Sequence, residues 1–281
     1  MINWYPGHMA KAKRRLKEDL GLVDMVIEVL DARIPLSSRN HDLDQLLDNQ
    51  KRVIVLNKKD LALKKVTEDW INYFSKEYPV VALNSKEGVG ISSLMERINN
   101  LHYKLLKKAE QKGRKNKDAK IMVIGIPNVG KSALINSLGA KGRVKTGDKP
   151  GVTRGKQWIK VTKDIRLLDT PGILWPNLDN EDISYKLAIT AAIDSDRYDN
   201  ETAAYRLIKY ILEINPSILE KNYGVETRGI HPYDLMLEIG KKRGCLMSGG
   251  KIDKERVSKL ILNDFRSGKF GRLSLETAEE F

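Results

Sequence analysis

The sequence predicts an α/β protein in which a mostly parallel sheet with flanking helices is followed by a small all-α domain. Short aliphatic and β-branched runs alternate with helical patterns up to about residue 170, which is typical of a parallel sheet. Beyond about residue 180 the strand-like runs stop and only helical periodicity continues. A chain of 281 residues is long enough for two domains, and we expect them at residues 1–178 and 179–281.

The expected strands are short apolar runs bounded by polar or turn-forming residues, as strands buried on both faces of a parallel sheet are. In chain order they are Met25–Leu30, Arg52–Leu56, Val80–Leu83, Lys120–Ile124, Gln157–Val161 and Ile165–Leu168. Helical patterns fall at about 8–20, 64–78, 90–110 and 131–138. In the second domain, apolar stripes at helical spacing within 203–212 and 257–265 predict core-facing helices.

The charge balance favours a polyanionic partner. The chain has 50 Lys and Arg against 37 Asp and Glu, and residues 1–179 hold 34 of these basic and 20 of the acidic side chains. No apolar run reaches the roughly 18 residues of a transmembrane helix, and the N-terminus lacks the apolar stretch of a secretory signal. The single cysteine, Cys245, excludes an intramolecular disulfide and suits a reducing compartment. We therefore expect a cytoplasmic protein with no membrane contact.

Residues Gly125–Ser132 fit the phosphate-loop pattern G-x-x-x-x-G-K-[ST] between an expected strand and an expected helix. In such a loop the backbone N–H groups surround a phosphate, the lysine bridges the β- and γ-phosphates, and the hydroxyl binds Mg²⁺. Lys131 and Ser132 would take these two roles. The residues that we assign to this phosphate site are Asn128, Val129, Gly130, Lys131, Ser132 and Ala133.

A second motif, Asp169-Thr170-Pro171-Gly172, follows the last expected strand. A carboxylate at a strand end near a phosphate loop is suited to hold Mg²⁺, usually through water. We therefore expect Ser132, Thr153 and Asp169 to form the metal site, and the Gly172 N–H to approach a γ-phosphate.

The pattern N-K-x-D at Asn57–Asp60 selects guanine over adenine. The Asp60 carboxylate can accept hydrogen bonds from guanine N1–H and N2–H₂, a pair of donors that adenine lacks, and the stem of Lys58 can pack across the base. Ser85 and Lys86, after the next strand, match the loop whose backbone contacts the guanine O6. The expected nucleotide is GTP or GDP.

These motifs are complete but rotated, because the guanine motifs at 57–60 and 84–86 precede the phosphate loop. Circular permutation preserves such a site when the original termini lie close together.

The chain resembles the circularly permuted GTPases of ribosome assembly, the ribosome biogenesis GTPase A family. The resemblance covers the whole chain and includes Trp4–Met9, Asp31–Pro35, Gly125–Ser132, Asp169–Pro176 and Gly244–Gly250. It implies a bacterial cytoplasmic GTPase that acts late in maturation of the large ribosomal subunit, with the precursor of that subunit and its rRNA as partners. We expect the protein to be monomeric. Arg33 stays open between a structural ion pair and a contact with the particle.

Ile173 occupies the position that in many GTPases holds a water-orienting glutamine, so another group must position the water or turnover is slow. The resemblance implies that His8 has this catalytic role. It also implies a K⁺ site near Asn128, which would stabilise charge between the β- and γ-phosphates.

Ten basic and three acidic side chains lie in residues 241–272, which favours shape recognition of folded RNA through phosphates. The expected RNA-binding residues are Lys241, Lys242, Arg243, Lys251, Lys259, Arg266 and Lys269.

An alternative to a GTP-hydrolysing assembly factor is a non-catalytic, GTP-dependent placeholder that binds RNA on the pre-ribosome. A signalling or tRNA-modifying GTPase is disfavoured by the permutation and by the lack of an added catalytic domain.

Overall fold

The computed structural model describes residues 14–40, 44–47, 50–111, 118–139, 157–169 and 180–280. These residues divide into two compact units. The sheet unit holds the described residues up to 169 together with the tail 276–280, and the helical unit holds residues 180–275. The tail lies in the expected second domain by sequence, but it packs with the sheet unit. None of the described helices combines the length and the apolar composition that a membrane-spanning helix needs.

The sheet has six strands in the spatial order β3-β2-β1-β4-β6-β5. Their bounds are β1 Met25–Asp31, β2 Lys51–Asn57, β3 Val80–Ala82, β4 Ala119–Ile124, β5 Gln157–Lys160 and β6 Ile165–Asp169. All neighbours pair in parallel except β5, which runs antiparallel to β6 at the edge of the sheet. Each strand overlaps the run that the sequence predicts, which confirms the expected mostly parallel α/β fold.

The strand order explains how rotated motifs can form one site. Strand β1 lies between β2 and β4, so the loops that follow β2 and β4 leave the same edge of the sheet on either side of β1. Ligands of open α/β sheets bind at the carboxyl ends of strands, at the point where the strand order reverses. Here that point lies between β1 and β4, and the phosphate loop follows β4.

The helices of the sheet unit are α1 Asp44–Leu47, α2 Lys64–Ser75, α3 Ile91–Glu110 and α4 Lys131–Ser137, and residues 14–20 are also helical. Helix α2 buries Trp70 and Phe74 in a cluster with Leu30, Ile54 and Leu56 of the sheet. Burial of each such side chain stabilises the fold by about 1.5–3 kcal/mol. This cluster supports the end of the sheet from which the guanine motif leaves.

The helical unit contains α5 Glu181–Ile189, α6 Asn200–Ile214, α7 Ser217–Tyr223, α8 Pro232–Lys242 and α9 Lys254–Arg266. Three of these helices begin with an Asn or Asp cap, at Asn180, Asp199 and Asp253, whose side chains accept hydrogen bonds from first-turn N–H groups. The two stripes predicted from the sequence lie on α6 and α9, and most of their residues are buried. They form the core of this unit, as expected.

Candidate nucleotide-binding site

The phosphate loop connects β4 to α4 and depends on two glycines. Gly125 has φ 152° and Gly130 has φ 99°, a region that favours glycine. A Cβ atom at Gly125 would lie 2.5 Å from the Val29 carbonyl oxygen, and one at Gly130 would lie 2.2 Å from Asn57 Nδ2. The loop can therefore follow this path only without side chains at these two positions.

The conformation and packing of the other loop residues are as follows. Asn128 has φ 57°, a left-handed conformation that Asn adopts more readily than most residues. The Lys131 ammonium donates to the carbonyl oxygens of Gly125 (2.9 Å) and Ile126 (2.7 Å), so it lies against the loop. Ser132 and Ala133 continue the first turn of α4 and are half-buried, whereas Val129 is buried.

Asn57 joins three loops of the site. Its side chain is buried, its Nδ2 donates to the Val129 carbonyl oxygen (2.6 Å), and its Oδ1 accepts from the Ser85 N–H (3.0 Å). Both hydrogen-bonding ends of the amide are thus used to tie the phosphate loop and the 84–86 loop to the end of β2. The sequence motif indicates a nucleotide contact for Asn57, and the structure shows that it also organises the site.

Lys58 is held by a buried carboxylate that the motif does not include. The Lys58 ammonium lies 2.9 Å from Asp31 Oδ2, and Asp31 also binds Arg33 through Nε (3.0 Å) and Nη2 (2.8 Å). Asp31 and Arg33 are each only 2% exposed, so the Asp31–Arg33 contact is a structural ion pair and Arg33 is not available to a particle. Lys58 has φ 61°, and such strain in a non-glycine residue is typical of functional sites.

The charges of this cluster depend on each other. Burial alone would raise the pKa of the Asp31 carboxyl, but Arg33 and Lys58 hold that pKa well below its usual range. Burial lowers the pKa of the Lys58 ammonium, although Asp31 partly opposes the shift. The carboxylate therefore keeps the cationic form of Lys58 in place beside the expected base position.

The other residues that the sequence assigns to guanine binding differ in their exposure. Asp60 and Lys86 are exposed, whereas Ser85 is buried. The Asn84 side chain accepts from the N–H groups of Lys86 (3.0 Å) and Glu87 (3.2 Å), and so shapes the loop.

The expected Mg²⁺ ligands lie partly outside the described residues. Strand β6 pairs with β4, and its last residue, Asp169, is in register with Val123, two residues before the phosphate loop. The strand order therefore brings the backbone of Asp169 to the edge of the sheet where α4, which contains Ser132 in its first turn, begins. A hydroxyl and a carboxylate are the hard oxygen donors that Mg²⁺ prefers. The side chain of Asp169, together with Thr153, Gly172 and His8, lies outside the described residues.

The C-terminal tail contributes a residue that the sequence analysis missed. Glu276 is 1% exposed, and its carboxylate accepts from the N–H groups of Leu36 (2.9 Å) and Ser37 (3.2 Å) and from the Ser37 hydroxyl. The Glu276 carbonyl oxygen also accepts from Trp70 Nε1 (3.4 Å). These contacts hold the segment directly after Asp31. An acidic residue near a chain end carries no local signal of such a role.

The proposed RNA-binding cations divide into two groups. Six of them are exposed to solvent. Two of the six are Lys241 and Lys251, and the other four also make contacts within the helical unit: Lys242, Arg243, Lys259 and Lys269. Arg266 differs, because it donates to the carbonyl oxygens of Ile189 (2.9 Å) and Ala188 (2.8 Å) at the end of α5. The Arg266 guanidinium therefore acts as a structural cap within the helical unit.

Comparisons with known proteins agree with this geometry. Residues 120–221 match the family described as 50S ribosome-binding GTPase. The whole chain is 43% identical to a ribosome biogenesis GTPase A of Bacillus licheniformis and covers 99% of it. For the ribosome biogenesis GTPase A of Thermotoga maritima the identity is 33%, over 99% of this chain and 95% of that protein.

Two solved structures of YlqF are also similar. The GDP-bound form is 30% identical, with a TM-score of 0.67 over 95% of this chain and 100% of that chain. The GNP-bound form from T. maritima is 30% identical, with a TM-score of 0.65 over 95% and 98% of the two chains. The chain therefore belongs to the ribosome biogenesis GTPase A family, and it is a GTP-hydrolysing enzyme with a circularly permuted P-loop fold.

Proposed function

We propose that this protein is a cytoplasmic, monomeric GTPase of late large-subunit assembly, which binds the rRNA of pre-50S particles and hydrolyses GTP on them. The observation that carries the proposal is the contact of Asn57 with both the Gly125–Ser132 loop and the 84–86 loop, which brings together the segments that we assign to phosphate and guanine binding. Full-length similarity to proteins named for ribosome biogenesis and the excess of 13 positive charges support the ribosomal partner.

The chemistry follows from the roles of the residues in this site. The loop and Lys131 bind the phosphates, while Asn57, Lys58, Asp60, Ser85 and Lys86 select and hold guanine. Bound Mg²⁺ would neutralise charge on the phosphate oxygens, with Ser132, Thr153 and Asp169 as the residues that hold it.

Turnover with and without pre-50S particles tests the proposal against the non-catalytic placeholder. Strong stimulation of GTP hydrolysis by the particles is the expected result, because Ile173 cannot orient the attacking water and the free protein should be slow. If particles bind in the presence of GTP but turnover stays at its basal rate, the placeholder function is favoured instead.

We propose His8 as the group that positions water on the particle. His8→Ala should reduce particle-stimulated kcat by about 10²–10⁴-fold and leave the affinity for GTP nearly unchanged. The measurement is stimulated turnover beside equilibrium binding of a fluorescent GTP analogue. An unchanged stimulated kcat would rule out this role.

We also propose that Asn128 contributes to a K⁺ site at the phosphate loop. Hydrolysis should then be faster in K⁺ than in Na⁺ at equal ionic strength, and Asn128→Ala should remove the difference. Equal rates in the two salts for the unaltered protein contradict the site.

A further inference from the structure

A row of three cations crosses the edge half of the sheet. Lys160 of β5 pairs with Arg166 of β6, and Arg166 pairs with Lys120 of β4. Residues paired across neighbouring strands point to the same face of a sheet, and all three side chains are exposed. Because neighbouring strands lie about 4.8 Å apart, three positive charges stand side by side on this face.

Like charges directly opposite each other destabilise a sheet, so this row needs counter-charge. Asp118 supplies one carboxylate, which lies 2.8 Å from both Nε and Nη2 of Arg166. A second carboxylate, Asp24, accepts from the Lys120 backbone N–H (2.9 Å). Both carboxylates belong to the β4 side of the row, so its positive charge is concentrated towards Lys160 on the edge strand.

An exposed indole lies beside this row of cations. Trp158 is two residues from Lys160 on β5 and therefore shares its face, and its side chain is 42% exposed. The Lys120 ammonium lies 6.0 Å from the centroid of the Trp158 ring. The neighbouring residues in the Trp158 row, Leu168 and Met122, are buried. Trp158 is thus the exposed edge member of an apolar row that lies next to the cationic row.

We propose that this face, the β5 face defined by Trp158, Lys160, Arg166 and Lys120, binds single-stranded RNA. An unpaired base stacks on Trp158 while phosphates lie along the cations, the combination by which proteins bind single strands without sequence preference. The inference rests on the proposed rRNA partner and adds a contact surface on the sheet unit to the cations of the helical unit. An acidic peptide would satisfy the cations but would make no use of an exposed indole.

The test measures affinity for a fluorescently labelled 12-nucleotide single-stranded oligoadenylate, with a 12-base-pair RNA duplex as the comparison probe. Trp158→Leu, which keeps an apolar side chain on the strand, should weaken binding of the single strand about tenfold and leave duplex binding nearly unchanged. Trp158→Phe keeps an aromatic ring and should therefore lose less affinity for the single strand than Trp158→Leu. Lys160→Glu should weaken binding of both probes and reduce the salt dependence of that binding.

Lys65→Glu is the matched control, because Lys65 is an exposed cation of α2 in the same unit, away from the β5 face. It should change both affinities by less than twofold. Thermal melting of each variant checks that the sheet unit stays folded. The proposal is overturned if Trp158→Leu and Lys160→Glu bind oligoadenylate like the unaltered protein, or if Lys65→Glu loses as much as Lys160→Glu.

Three further outcomes distinguish failure of this inference from failure of the proposed function or identify a different partner for the face. If the unaltered protein does not bind oligoadenylate but pre-50S particles still stimulate its GTP hydrolysis, only the β5 face proposal fails. If polyglutamate displaces oligoadenylate at lower concentration than unlabelled oligoadenylate does, and Trp158→Leu has no effect, the face binds acidic protein and the proposal is wrong. Absence of any particle stimulation would instead count against the proposed function.

Discussion

The buried carboxylate of Glu276 allows a direct test of how the C-terminal tail supports the guanine end of the site. Replacing Glu276 by alanine removes the acceptor for the N–H groups of Leu36 and Ser37 and for the Ser37 hydroxyl. The segment that these groups belong to follows Asp31, and the Ser38 hydroxyl oxygen accepts from the Asp31 N–H (3.0 Å). The change therefore acts on the residues that hold Lys58.

The size of the effect follows from the groups left without an acceptor. A buried donor that loses its partner costs about 1–3 kcal/mol, and a hydrogen bond to a charged group contributes about 1.5–3 kcal/mol. Two backbone donors share this carboxylate, so we expect the segment 32–38 to be destabilised by about 2–5 kcal/mol. Water can reach these donors after local opening and replace part of the lost hydrogen bonding, so we expect a value near the lower end of this range.

Hydrogen exchange followed by mass spectrometry measures this local free energy directly. In Glu276→Ala, peptides that cover 32–38 should exchange at least about tenfold faster, because each 1.4 kcal/mol corresponds to a factor of ten. Affinity for GDP should also fall, since Asp31 and Lys58 lie next to the loosened segment. Glu279→Gln is the control, because Glu279 is an exposed carboxylate of the same tail.

Two results would refute the reasoning. One is unchanged exchange of 32–38 in Glu276→Ala, which would mean that the buried carboxylate does not hold the segment. The other is an equal effect of Glu279→Gln, which would show that any change of charge in the tail suffices.

Two further predictions concern the site itself. Asp31→Asn leaves Arg33 and Lys58 without the negative charge that they share. The free energy of unfolding, measured by urea unfolding of the whole chain, should fall by about 3–5 kcal/mol at pH 7. Because the pKa of Asp31 is depressed in the folded state, its stabilising effect is present above pH 4 and is lost as the pH falls below about 4, so the variant should approach the unaltered protein in more acidic buffer. Gly130→Ala should abolish GDP binding in a titration, because its Cβ would lie 2.2 Å from Asn57 Nδ2; wild-type affinity would contradict the loop geometry.

Much of the fold was predictable because its signals are local. Buried strands of a mostly parallel sheet appear as continuous apolar runs, and all six predicted runs form strands whose ends lie within one residue of the predicted ends. The phosphate loop and the N-K-x-D motif are likewise short, since their chemistry depends on residues joined directly along the backbone. The helical unit was predictable for the same reason, because the stripes on α6 and α9 show their period within one helix.

Contacts between distant parts of the chain could not be read in this way. Arg266 belongs to a basic stretch that indicated RNA, yet its guanidinium caps α5, and only packing within the helical unit decides this. The Asp31–Lys58 pair requires β1 and β2 to be neighbours, and the Glu276 contact joins residues about 240 positions apart.

The sequence by itself determined the family, the nucleotide and the positions of the strands, because each depends on residues that lie close together along the chain. Only the tertiary structure decided which side chains of different strands lie next to each other on one face of the sheet, since that depends on strand order and register. The row Lys160–Arg166–Lys120 shows the difference: its members lie in three separate segments of the sequence and become neighbours only through pairing of β5, β6 and β4. The excess of positive charge is a property of composition, but its arrangement beside Trp158 is a property of the fold.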